Sequence, residues 1–442
     1  MSNKRRSIQP LLVIFLIAMA AYLNAVFVAT DPGVRGGAAG AGGPLPGLTV
    51  KETKFFNSGL DEFSEVEAVG NGLGPRFNSN SCSSCHAQPA IGGTSPSVNP
   101  QVAVASLNGA TNQVPFFITL NGPVLEARFK FNPDGTRDGG VHDLFVITGR
   151  SDAGGCAITQ PDFNAAFSAD NLIFRTPTPL FGAGLLEVIR DSTIIANMNA
   201  NGPAKLALGI SGHENREGNA GTITRIGWKA QNKSLQIFAG EAYNVEQGVT
   251  NELFQNERDE TPGCASNGIP EDVTNYELTQ PQKIVNNVES FTSFMRFLAP
   301  PTPAPPSPST NNGRTLFSSI GCAQCHTPSL TTGPSSTAAL SNKVANLFSD
   351  LVLHNMGPGL GDNIVQGNAG LDEFRTAPLW GLGQRRFFLH DARTSDLVVA
   401  IQAHKSLGNG VFQSSEANTV IDNFNLLSEP QKQDILNFLR GL

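Results

Sequence analysis

Cysteine and histidine recur twice in one five-residue pattern, Cys82-Ser-Ser-Cys85-His86 and Cys322-Ala-Gln-Cys325-His326. Cys-x-x-Cys-His is the spacing that attaches c-type haem. Two thiols at this separation can add across the vinyl groups of one porphyrin, and the adjacent His86 or His326 then ligates the iron. A redox dithiol and a Cys/His zinc site share parts of the pattern. Zinc needs four grouped ligands, and no other Cys lies near either motif. A redox dithiol gives no reason for His to follow the second Cys twice. Two covalently bound haems c are the expectation, held by Cys82, Cys85, Cys322 and Cys325.

Haem of this type is attached outside the bacterial cytoplasm, and the N-terminus agrees. Lys4, Arg5 and Arg6 precede an apolar run from Leu11 to about Ala29, broken only by Asn24. A basic region followed by an apolar one is an export signal. The run is about as long as a spanning helix, so residues 1–30 are either a signal peptide or an uncleaved membrane anchor. The expected location is periplasmic or otherwise extracytoplasmic, with membrane contact only if the leader stays. Residues 31–50 are rich in Gly, Ala and Pro and read as a flexible tether.

Cys156 and Cys264 are the thiols that haem does not claim. An even remainder in an oxidising compartment favours a disulfide, which closes a loop of about a hundred residues and stabilises by roughly 4–5 kcal/mol in the chain-entropy model. Two buried free thiols are the alternative. With a net charge of -7 and only 15% charged residues among 442, nucleic acid and anionic membrane are not expected partners. The 46 Gly and 29 Pro mark a loop-rich chain.

One linker divides it. Ala299-Pro-Pro-Thr-Pro-Ala-Pro-Pro-Ser-Pro-Ser309 favours extended polyproline conformation and opposes helix. Beyond it, Gly313-Arg-Thr-Leu-Phe317 leads into the second haem motif. The chain ends on a helix announced by Ser428 as cap, Pro430 in the first turn and an apolar face of Ile435, Phe438, Leu439 and Leu442. Residues 310–442 therefore read as a cytochrome c domain. The N-terminal haem domain, 51–298, carries insertions: 101–106, 114–120, 143–148 and 221–226 read as short strands. The expected fold is mainly α, with two cytochrome c-like haem domains and a small inserted β/loop region in the first.

A repeat connects the halves. Arg175-Thr-Pro-Thr-Pro-Leu-Phe-Gly-Ala-Gly184 returns as Arg375-Thr-Ala-Pro-Leu-Trp-Gly-Leu-Gly383, each downstream of its own haem motif. The shared order points to duplication.

The second half, from Leu353-His-Asn-Met-Gly357 through Glu373-Phe-Arg-Thr-Ala-Pro-Leu-Trp380 to Phe388-Leu-His-Asp-Ala-Arg393, resembles the bacterial di-haem cytochrome c peroxidase superfamily. It is most similar to the di-haem oxidoreductase branch, described as peroxidases or thiol oxidoreductases. Gly72-Leu-Gly-Pro, Ser81-Cys-x-x-Cys-His, Pro177-Thr-Pro-Leu-Phe-Gly182 and Gly227-Trp-Lys-Ala230 extend the resemblance over the first half. It implies that the C-terminal haem takes its second ligand fourteen residues after His390, which lands on His404. His326 and His404 would then fill both faces of that iron, favouring a low-spin, electron-transferring haem and a weaker oxidant than a Met-ligated one. A surface role for His404 is the alternative.

The equivalent count from Trp228 lands on Ala242, which cannot bind iron. The first haem is then either open on its distal face or ligated from the insertion, where His142 is the leading candidate and His213, in a polar loop, a weaker one. Met356 reads as packing. By position the resemblance assigns Trp228 to the aromatic that conducts electrons between haems, and Glu246, two residues short of the family spacing, to the acid–base group in peroxide cleavage. Ordinary core and a solvated loop acid are the plain alternatives for these two. By resemblance alone, Ca2+ could also bind.

Two functions follow, and a third is weaker. As an enzyme, the chain reduces hydrogen peroxide at the first haem with electrons relayed from the second, supplied by a small cytochrome or cupredoxin-type donor. As a carrier, both irons are six-coordinate and only relay electrons to or from such a partner. Oxidation of a thiol or other organic substrate is the third reading.

Overall fold

The computed structural model describes residues 27–107, 114–138, 147–148, 158–216, 221–256 and 270–442. The protein is mostly helical with small two-stranded sheets. The principal helices are α1 (Val50–Phe63), α2 (Pro100–Leu107), α3 (Leu235–Gln247), α4 (Asn287–Phe297), α5 (Pro308–Ser319), α6 (Leu397–Gln402), α7 (Asn418–Leu426) and α8 (Glu429–Gly441).

Two helix pairs carry the architecture, and both use one device. Helix α1 begins at a capping box in which Thr49 and Glu52 satisfy each other's backbone N–H groups, and α4 is capped by Asn286. They touch at Gly59, where a Cβ would sit 2.2 Å from the Ser290 carbonyl oxygen. Helices α5 and α8 are capped by Ser307 and Ser428, again with capping boxes. They touch at Gly313, where a Cβ would sit 1.9 Å from the Asp434 carbonyl oxygen. Phenylalanines fill the space under each pair: Phe56, Phe63, Phe291 and Phe294 under the first, Phe317, Phe348, Phe424 and Phe438 under the second.

The sequence repeat is a structural repeat. Strand β4 (Leu172–Arg175) ends at Arg175 and pairs antiparallel with β2 (Glu126–Phe129); β8 (Glu373–Arg375) ends at Arg375 and pairs antiparallel with β7 (Leu353–Asn355). Each strand is followed by a glycine in the left-handed region, Gly182 (φ 69°) and Gly381 (φ 73°), which starts a short helical turn. The next glycine then slides beneath the end of the nearby helix pair. A Cβ on Gly184 would meet the Arg296 carbonyl oxygen, and one on Gly383 that of Arg440, both at 2.0 Å. The remaining ladders are β1 (Arg76–Phe77) with β3 (Ile147–Thr148) and β5 (Leu330–Thr331) with β6 (Val344–Ala345).

Several local expectations change. Residues 101–106 belong to α2 rather than a strand: Asn99 Oδ1 accepts from Gln101 N–H at 2.9 Å, Pro100 occupies the first turn, and Gln101, Val104 and Ala105 face inward at helical spacing. A short apolar run does not distinguish the two periods, and the Asn-Pro start decides it. Residues 114–120 form turns that bury Phe117 and Ile118 without a ladder. Of 143–148 only β3 is described, and 221–226 supplies isolated bridges at Thr224 and Ile226.

The glycine-rich segment read as a flexible tether lies along the body. Asp31 pairs with Arg440 at 2.6 Å, Arg35 N–H donates to the Gly383 carbonyl (2.7 Å), and Leu45 N–H to that of Phe297 (2.7 Å). The proline segment runs beside it, with Thr302 N–H donating to Gly40. Helix α5 starts inside the expected linker at Pro308, since Pro at the first helical position loses no bond.

Candidate haem sites

Each Cys-x-x-Cys-His motif forms one helical turn at the mouth of a cavity. The first cavity encloses about 120 Å³ and is lined by Phe63, Cys82, Cys85 and His86. The second, about 230 Å³, is lined by Phe317, Cys322, Cys325 and His326. His86 N–H closes its turn on Cys82 (3.0 Å), and His326 does the same on Cys322 (2.9 Å).

A backbone carbonyl fixes the tautomer of each motif histidine. His86 Nδ1 donates to Gly93 O at 2.9 Å, and His326 Nδ1 to Phe348 O at 3.0 Å. In both rings this leaves Nε2 as the free lone pair, the arrangement a ligating imidazole needs. Burial lowers the pKa of His86. For His326 burial and the neighbouring His404 bring it to about 4. Both rings are neutral at ordinary pH.

The thiols argue against a redox dithiol. Burial pushes Cys82 up, Cys85 to about 11 and Cys322 to about 12, whereas a reactive dithiol needs a lowered pKa. Half-buried thiols beside a neutral imidazole and a largely apolar cavity fit haem c.

The two cavities differ on the side away from the motif. The second is lined by His404, whose Nδ1 donates to Ala400 O at 2.8 Å and so also leaves Nε2 free. His404 sits in the turn that follows helix α6, which is capped at its start by Asp396. Met356, expected to be packing, lines the same cavity. The first cavity is lined by Ala242 and Glu246 on α3, and by Glu126 on β2. Burial raises the Glu246 carboxyl well above its usual range, and the charge of Glu126 and a hydrogen bond from it push the same way. Among the described residues, His86 is the one histidine lining this cavity.

Trp228 lines both cavities. Its Nε1 donates to Thr176 O (3.0 Å), and its carbonyl accepts from Arg375 N–H (2.9 Å), so both repeats hold it. Beside it, fully buried Lys229 reaches Asp362 (3.0 Å) and the carbonyls of Gly370 (2.7 Å) and Glu373 (3.0 Å).

The other histidines are committed elsewhere. His213 Nε2 contacts Glu373 at 2.8 Å, and His213 does not line the first cavity. His354 lies between Asp350 (2.9 Å) and Glu416 (2.8 Å). Burial opposes its charge, but Cys325 and Asp350 outweigh burial and hold its pKa well above the ordinary value. Cys325, Asp350 and His354 cluster at metal-like spacing, yet both ring nitrogens already face carboxylates and the imidazolium supplies the cation. His390 is buried and stacks on Phe374 at 4.2 Å. His142, Cys156 and Cys264 lie outside the described residues, as does the leader up to residue 26.

Glu126 was not foreseen. It lies in the β excursion, 40 residues beyond the first motif, and lines the same cavity as Glu246. No local spacing marks it.

Among solved structures the chain is similar to a MauG-like protein associated with microbial copper homeostasis, at 15% identity over 60% of this chain and 90% of that one (TM-score 0.31). It is also similar to the diheme peroxidase BthA from Burkholderia thailandensis, at 15% over 60% and 86% (TM-score 0.30). A third is hydrazine synthase from Kuenenia stuttgartiensis, at 16% over 46% and 60% (TM-score 0.24). At these scores the likenesses carry no argument. No curated protein matches the chain in sequence. The family model described as "Di-haem oxidoreductase, putative peroxidase" matches residues 144–442, more than half the chain and including the second haem motif and both repeats. The chain belongs to the di-haem oxidoreductase family.

Proposed function

We propose that this protein is an extracytoplasmic di-haem c oxidoreductase that reduces hydrogen peroxide at the N-terminal site with electrons entering at the C-terminal one. The haems, when bound, supply the redox chemistry. The observation that carries the reading is the asymmetry of the cavities. Two histidines with their Nδ1 atoms held by carbonyls line the second, so His326 and His404 can hold an iron from both sides. One histidine and three carboxyl groups, Glu126, Glu241 and Glu246, line the first.

Reduction of peroxide to two waters consumes two electrons and two protons, and cleavage of the O–O bond needs a proton at the leaving oxygen. Glu246 is the group we assign to that role: burial, then the charge of Glu126, raise its pKa well above the usual carboxyl range and so favour its protonated form. Trp228, lining both cavities, is the aromatic through which electrons cross. A small cytochrome or cupredoxin-type protein is the donor, and residues 1–30 deliver the chain to the periplasm or tether it there. Steady-state peroxide reduction with a reduced small cytochrome tests the reading. Turnover should fall steeply in Glu246→Gln. Absence of any peroxide reaction in the fully haem-loaded protein would leave the electron-carrier reading in its place.

A further inference from the structure

The wall of the C-terminal cavity contains two buried guanidinium groups, Arg375 and Arg385, 5% and 7% exposed. Arg375 Nε donates to Gly227 O (2.9 Å) and Nη1 to Thr376 O (3.3 Å). Neither these bonds nor any ion pair among the described residues gives it a carboxylate. The Arg385 side chain has no hydrogen bond or ion pair among the described residues. Burial lowers both to about 10; for Arg375 the charge of Asp350 opposes the shift and that of Arg385 adds to it, and both groups line the one cavity.

The acids within reach are already used. Glu416 lines the same cavity but contacts His354 at 2.8 Å and accepts from the N–H groups of Ser211 (2.9 Å) and Gly212 (3.1 Å). Asp350 is held by His354 at 2.9 Å. Apart from its histidines and the motif cysteines, most of the wall is apolar, including Phe317, Leu382, Phe388, Leu397, Ile401 and Leu439. Two guanidinium groups with no directly paired carboxylate among the described residues are costly in such a wall, which favours a group that fills the cavity and brings anions of its own. Arg175, the repeat partner of Arg375, is differently committed: it pairs with Asp362 (2.6 Å) and donates to Gln366 (2.8 Å).

We propose that Arg375 and Arg385 form the carboxylate-binding end of the C-terminal cavity and hold the propionates of the haem attached at Cys322 and Cys325. The inference rests on the haem c reading. A haem carries two propionates on one edge, and a guanidinium pairs with a carboxylate in a two-bond fork. The pairs fix the orientation of the cofactor and keep its propionates ionised. Their positive charges also favour the reduced iron, which offsets the low potential that two imidazole ligands impose.

The experiment uses the haem-loaded full chain with Arg385→Gln and Arg385→Lys. Covalent haem per chain, measured by pyridine haemochrome, comes first, and fewer than two in the unsubstituted protein would overturn the haem reading itself. In Arg385→Gln with two haems bound, the midpoint potential of the low-spin haem should fall by about 59 mV, tenfold in a one-electron equilibrium. The other haem should keep its potential. The low-spin potential should also gain an acid-range pH dependence as a propionate becomes titratable. Arg385→Lys keeps the charge but loses the fork, so it should restore most of the potential while shifting the propionate bending band in the resonance Raman spectrum. An unchanged potential and pH profile in Arg385→Gln overturns the proposal. If that variant does not fold, an unchanged propionate band in Arg385→Lys overturns it and a shifted band supports it.

Discussion

Arg175 Nη2 lies 2.6 Å from Asp362 Oδ2, with the two side chains 3% and 1% exposed. Arg175 comes from the first copy of the repeat and Asp362 from the second half, and Lys229 reaches the other carboxylate oxygen at 3.0 Å. One buried carboxylate thus ties the strand leading into the first cavity to the residue that follows Trp228.

Asp362→Asn would leave two buried cations without their counter-ion. The expected loss of stability is about 3–5 kcal/mol, read from chemical denaturation of the haem-loaded protein. A loss below about 1 kcal/mol would show that the triad is not a structural tie.

Burial raises the Asp362 pKa, but the charges of Arg175 and Lys229 outweigh burial and hold it at about 2, below the ordinary 3.8. A carboxyl depressed in the folded state contributes stability that is complete above its unfolded pKa. That contribution is lost as pH falls through the folded value. Unsubstituted protein should therefore lose stability more steeply than Asp362→Asn between pH 4 and pH 2. Parallel pH profiles for the two proteins would contradict this.

Gly59→Ala and Gly313→Ala probe the two helix pairs. Each added Cβ meets a backbone carbonyl, at 2.2 and 1.9 Å, which must move the helices apart. Each should cost about 1–3 kcal/mol in thermal or denaturant unfolding. The Gly59 change should perturb the spectrum of the first haem, and the Gly313 change that of the second.

Glu126→Gln tests the carboxyl pair in the first cavity. Burial is the largest cause of the raised Glu246 pKa, and the Glu126 charge the next. Removing that charge lowers the Glu246 pKa, so the protonated form disappears at lower pH. The alkaline limb of the peroxide-turnover profile should move to lower pH while the maximum rate stays within a few-fold. An unmoved limb would exclude Glu246 as the titrating acid.

The placement of each motif was legible because it is local: five consecutive residues set two thiols and an imidazole at one cavity. The repeat was legible because Arg175–Gly184 and Arg375–Gly383 share small residues where backbones nearly touch. His404 followed from counting along a recognised motif, and the structure sets it against the same cavity as His326. What escaped depends on pairings between distant segments. Glu126 and Glu246 come from a strand and a helix about 120 residues apart and meet at one cavity, and the lack of an ion pair at Arg385 depends on the residues folded around it. Residues 101–106 were misread because an apolar run of six fits either period, and the decisive signal was the preceding Asn99-Pro100.

His404→Ala examines the second cavity separately. One haem should change from low to high spin in the optical spectrum of the oxidised protein, with the other unaltered. An unchanged spectrum would remove His404 as a ligand and turn attention to Met356, which lines the same cavity.

The central claim is that one haem site is closed by two histidines and the other is open beside Glu246. Electron paramagnetic resonance of the oxidised, fully loaded protein reads both irons at once. The account predicts one high-spin ferric signal and one low-spin signal, with only the high-spin signal altered by a small exogenous ligand such as cyanide. Two low-spin signals, unmoved by cyanide and accompanied by no reaction with peroxide, would contradict it.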